Sequence, residues 1–60
     1  MKLFVDKTEI SPGDDVMTKR GDTATVVSID YRRSEIVLKF DDDIEGSFYI
    51  SVINGVMKND

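Results

Sequence analysis

The densest run of chemistry-bearing side chains in this chain is Asp41-Asp42-Asp43-Ile44-Glu45-Gly46. Asp41, Asp43, Glu45 and Gly46 match the opening of a calcium-binding loop, where alternate carboxylates wrap the cation and a glycine makes the sharp turn. Such a loop takes a bidentate Glu from its twelfth position, which here is Val52, and its flanks should be helices. The flanks read as strands, so the run is expected to be a solvated turn with no metal. Catalysis is hard to build from the rest of the inventory. The chain has no His and no Cys, which removes the commonest general base, the strongest nucleophile, disulfides and the usual zinc and haem ligands. Ser28, Ser34, Ser47 and Ser51 stand in no nucleophile motif. The expectation is a protein that is not an enzyme and needs no cofactor.

The basic residues form two groups, Lys19-Arg20 and Arg32-Arg33. A strand rising about 3.3 Å per residue between them would hold the groups roughly 30 Å apart. Lys19-Arg20 would fall beside Asp41-Asp42-Asp43 and be neutralised by them, in surface ion pairs worth little individually. Asp30 and Glu35 flank the other pair. The tripeptide Arg20-Gly21-Asp22 reads as a polar corner before a strand.

Composition sets the frame around these residues. The 60 residues carry 8 Lys and Arg against 12 Asp and Glu, a net charge of −4, which opposes the phosphate neutralisation that drives nucleic-acid binding. A chain this short buries only about 60% of the surface exposed on unfolding. With 40% apolar and 33% charged residues it still reads as a single globular domain over 1–60. No apolar run nears the roughly 20 residues of a membrane span, and Met-Lys-Leu-Phe-Val is short for a signal peptide. Cytoplasmic location and a whole gene product are the expectations, with a phage or mobile-element origin resting on size alone.

The elements that must position these side chains are strands. Lys2–Asp6 is a short apolar run. Ser11-Pro12-Gly13-Asp14 predicts a type II turn, with Pro presetting φ and Gly accepting a positive φ. Asp15–Lys19 and Thr23–Tyr31 follow. In the latter, Ile29 lies three residues beyond Val26, so strict alternation would expose one of them; a bulge near Val27-Ser28 restores Ile29 to the core and bends the strand. In Glu35–Phe40, the residues Ile36, Leu38 and Phe40 point inward and Val37 outward. In Ser47–Val52, Phe48 and Ile50 point inward and Tyr49 outward. Asn54-Gly55 suits a two-residue type I′ hairpin returning Val56-Met57-Lys58, with a 3₁₀ turn near Val52–Asn54 as the competing reading.

This pattern is all-β: a five-stranded SH3-like barrel, six-stranded if the tail hairpin forms, with a bent central hairpin. The sequence also resembles that superfamily directly. Pro12-Gly13-Asp14-Asp15-Val16 is similar to the PGDxV entry of many SH3-like domains. Gly21 with Ala24, Val26 and Ile29, then Val37-Leu38-Lys39-Phe40-Asp41, resembles the core of KOW and related Tudor-like barrels. The likeness spans roughly residues 12 to 52.

The functional expectation is a non-enzymatic interaction module, accessory or regulatory, that docks on a protein partner or on itself. Tyr31, Val37 and Tyr49 would form its contact face, Tyr being enriched at interfaces. Asp41, Asp42, Asp43 and Glu45 would steer a basic partner, raising an association rate that falls with salt. The KOW resemblance implies an alternative, nucleic-acid binding through Lys19, Arg20, Arg32 and Arg33, with Tyr31 stacking on a base.

Overall fold

A computed structural model describes residues 1–57 as strands joined by tight turns and one 3₁₀ turn. The strands are β1 (Leu3–Val5), β2 (Thr8–Ile10), β3 (Asp15–Thr18), β4 (Thr23–Asp30), β5 (Glu35–Phe40), β6 (Glu45–Tyr49) and β7 (Ile53–Met57), with the 3₁₀ turn η1 (Ile50–Val52) before β7. β1 and β2 pair as a separate hairpin, and the others form a five-stranded sheet in the order β6-β5-β4-β3-β7. Every pairing is antiparallel.

Sheet register explains the two faces. Ala24 pairs with Phe40, Val26 with Leu38 and Ile29 with Ile36, so these residues share the inner face. The ladder shifts between Val26 and Ser28, leaving Val27 as the extra residue of a bulge. That is the bulge the Val26-to-Ile29 spacing predicts, and it returns Ile29 to the side of the buried Ile36. Val16, Ala24, Val26, Ile36, Leu38 and Ile53 are buried in the sheet's inner face together with Ile10 from β2. Leu3 and Val5 of β1 pack onto the same cluster, so the β1–β2 hairpin covers part of the core.

Turn chemistry fixes the connections. Asp14 N–H donates to the Ser11 carbonyl at 3.1 Å, and Gly13 sits at φ +95°, as a type II turn over Ser11–Asp14 requires. The corner after β3 is tied by Thr18, whose carbonyl accepts from Gly21 N–H (2.9 Å) and whose Oγ1 accepts from Asp22 N–H (3.1 Å). Asp30 Oδ1 accepts from the N–H groups of Arg32 and Arg33 at 3.1 and 3.2 Å, closing the turn between β4 and β5.

Three expectations need correction, and a fourth gains detail. No closed barrel is found among the described residues: the strands form an open five-stranded sheet, because β1 spends its hydrogen bonds on β2 and no ladder joins β6 to β7. The first apolar run does form a strand, β1, and it pairs with β2 in a hairpin whose turn is Asp6 and Lys7 at φ +49° and +70°, as a type I′ turn requires. Asn54-Gly55 lies within β7, where Gly55 pairs with Met17, and makes no turn. The 3₁₀ turn occupies Ile50–Val52 instead of Val52–Asn54, and it cuts the strand expected at Ser47–Val52 to Glu45–Tyr49. The expected extension to Lys58 lies outside the described residues.

Candidate functional site

The outer face of the sheet is set by the same register. Asp30, Glu35 and Tyr49 form one cross-strand row, and Ser28, Val37 and Ser47 form the next. Thr25, Lys39 and Glu45 form a third, continued by Asp15 and Met57. Tyr49 is 66% exposed, and its diagonal neighbour Val37 is half-buried. A hollow of about 210 Å³ opens here, lined in part by the outward Ser28, Asp30, Glu35, Val37 and Ser47. The two serines are small, which leaves Val37 at the bottom of a cleft with carboxylates on one rim. Val27 stands 41% exposed at the bulge opposite Val37.

Val37 and Tyr49 are therefore together on one face, and Tyr31 lies in the turn at Tyr49's end of the sheet, half-buried. The acidic group is divided. Glu45 points to the outer face, whereas Asp41, Asp42 and Asp43 form the turn between β5 and β6, at the far end of β6 from Tyr49. Four residue steps of strand make that span about 13 Å. In the turn, Asp43 N–H donates to the Phe40 carbonyl at 2.9 Å with Asp43 at φ +64°. Asp42 Oδ1 accepts from Ile44 N–H at 3.1 Å, and Asp43 Oδ1 lies 3.5 Å from Lys39 Nζ. These carboxylates serve separate partners, and among the described residues no group of three or more acidic side chains is arranged around a common ion position.

The basic residues lie at opposite ends of β4, as the strand length predicts. The expected neutralisation of Lys19-Arg20 by the acidic turn is corrected in detail. Arg20 Nε has Asp22 as its ion-pair partner at 4.0 Å, and Arg33 Nε has Asp30 at 4.0 Å. Arg20 does share an open depression of about 440 Å³ with Asp41 and Asp42. Lys19, Arg20, Arg32 and Arg33 make no continuous stripe.

That depression was not legible in the sequence. It also takes in Asp22, Thr23, Phe40 and Phe48, which meet only because Ala24 pairs with Phe40 and Phe48 sits two strands away. Phe40 and Phe48 touch edge to face, with centroids 5.8 Å apart and planes at 82°. Gly46 makes this possible, since a Cβ there would stand 2.9 Å from the Phe48 ring. The one available signal was Gly46 two residues before Phe48, a spacing that puts both on one side of a strand. No helix among the described residues is long and apolar enough to cross a membrane. Comparison of the chain with protein-family models, with curated proteins and with solved structures gives no match.

Proposed function

We propose that this protein is a non-enzymatic interaction module that docks on a basic protein partner through the outer face of its sheet. One observation carries the reading: the exposed Tyr49 stands beside a cleft floored by Val37 and rimmed by Asp30 and Glu35. Tyrosine contributes a large, rigid contact at low entropy cost, and a cleft beside it seats a partner side chain. Glu35 on the rim, with Glu45 on the same face, favours Lys or Arg there, while Asp30 is engaged by Arg33. Asp41, Asp42 and Asp43 extend the negative field and raise the encounter rate with a basic surface. Tyr31 borders the face at the Tyr49 end. Five antiparallel strands with a bent β4–β5 hairpin support the SH3-like reading of the architecture.

The test is affinity capture from the cell of origin, comparing the wild type with Tyr49→Ala, alongside titration with single- and double-stranded oligonucleotides across salt. The expected result is a protein retained by the wild type and lost with Tyr49→Ala. Salt-dependent oligonucleotide binding that disappears in Arg32→Ala plus Arg33→Ala would overturn the proposal in favour of nucleic acid.

A further inference from the structure

The two rims of the five-stranded sheet differ in what covers them. β1 packs against β7, whereas no strand among the described residues pairs with the free side of β6. The backbone groups along that free side follow from the register. Phe40 N–H donates to the Ile44 carbonyl at 3.0 Å, and the Phe40 carbonyl accepts from Asp43 N–H, so the main chain of Phe40 is aimed toward β6. From the other direction, Val26 N–H donates to Asp14 (2.9 Å) and the Val26 carbonyl accepts from Gly13 N–H (2.7 Å), so Val26 is aimed toward β3. Leu38, opposite Val26, is then aimed away from β4 and toward β6.

Both lines agree on the alternation. Leu38 and Ile36 exchange hydrogen bonds with Gly46 and Phe48, their register partners. Glu45 and Ser47 send their N–H and carbonyl groups to the open side, and Tyr49 sends its N–H there while its carbonyl caps the 3₁₀ turn. The same three side chains are exposed on the outer face. Proteins blunt such edges with Pro, Lys, a bulge or a covering segment. The sequence Glu45-Gly46-Ser47-Phe48-Tyr49 has no Pro and no Lys, and its pairing with β5 runs without a register shift.

Resting on the protein-docking reading, we infer that the partner adds an extended segment to β6 as a further strand, and that this segment alternates basic and apolar residues. Residues opposite Glu45, Ser47 and Tyr49 share the outer face with them. There the nearest charges are Glu45 and, one strand further in, Glu35; Lys39 is engaged by Asp43. Lys or Arg fits those positions. Residues opposite Gly46 and Phe48 fall on the inner side, beside the depression that includes Phe40 and Phe48, and apolar side chains fit there. Main-chain hydrogen bonds then supply affinity while alternate side chains supply specificity. A second copy of this chain fits less well. Twofold pairing about Ser47 sets Glu45 against Tyr49 of the second copy, with that copy's Glu35 behind it, and joins two chains of net charge −4.

The probe is a short fluorescent peptide of alternating Lys and Val, with a Glu–Val peptide as its control. The Lys–Val peptide should bind, more weakly as salt rises. Amide hydrogen exchange should slow about tenfold at Glu45, Ser47 and Tyr49 and stay unchanged at Gly46 and Phe48. Ser47→Pro removes an outward N–H without breaking a bond to β5 and should abolish binding. A Lys–Val peptide N-methylated at alternate amides should fail against the untouched protein, which keeps the test valid if Ser47→Pro does not fold. Binding that lacks the alternating protection but needs Tyr49 overturns strand addition and leaves outer-face docking standing. Equal binding of the Glu–Val peptide, or no binding of either, also overturns the inference, the docking reading being judged separately by capture with Tyr49→Ala. A concentration-dependent dimer removed by Ser47→Pro would assign the edge to a second copy and overturn it as well.

Discussion

β6 and β7 are both five-residue strands at the rims of one sheet, yet they are built for different work. β7 places Ile53 in the core at 4% exposure, rests Val56 against the same cluster, and is covered by β1. β6 has no fully buried residue, and alternates exposed Glu45, Ser47 and Tyr49 with half-buried Gly46 and Phe48. Hydrophobic burial is what stabilises so small a chain; it sits mainly on β3, β4 and β5, and of the two rims β7 alone adds a fully buried residue, Ile53. The other rim is released from that duty, and its side chains and backbone are available for contact.

Substitutions that pit the rims against each other sharpen this contrast. The largest effect is expected at β7: Ile53→Ala should cost about 2–5 kcal/mol by leaving a cavity. That is a large share of the roughly 3–9 kcal/mol expected for a chain of this length, so the urea midpoint should collapse. Gly46→Ala tests whether any part of β6 is structural. The new methyl must push the Phe48 ring from its seat, at a cost of about 1–3 kcal/mol, with loss of the ring-current shifts of the Phe40–Phe48 pair. Asp30→Ala releases the N–H groups of Arg32 and Arg33 at an exposed turn and should cost about 1 kcal/mol. Tyr49→Ala should change stability by less than about 0.5 kcal/mol while weakening partner capture. A loss at Tyr49 comparable to that at Ile53 would remove the distinction between the rims.

Much of the architecture was legible because it depends on side-chain alternation. The Val26-to-Ile29 interval revealed the bulge, and Ile36, Leu38 and Phe40 identified the inward face of β5. Features decided by tertiary pairing were not legible. Asn54-Gly55 has the strongest local preference for a tight turn, but the ladder with β3 keeps it extended and brings Ile53 and Val56 to the core side. Asp6-Lys7 has a weak preference and takes the turn, since Val5 and Thr8 must pair for Leu3 and Ile10 to reach the core. In the candidate site, the grouping of Tyr49 with Val37 followed from alternation alone. The cleft between Ser28 and Ser47, and the separation of Asp41–Asp43 from Tyr49, depended on which strands became neighbours.

The bulge at Val27 has an evolutionary consequence. Because Val27 is the unpaired residue of the β4–β5 ladder, deleting it leaves Ala24, Val26 and the former Ile29 in unbroken alternation along a straight strand. Such a strand can still pair with β5 over its whole length. The bend in the β4–β5 hairpin is thus carried by a single residue that one codon can insert or remove, which makes the curvature of that hairpin a trait that can change without rewriting the core.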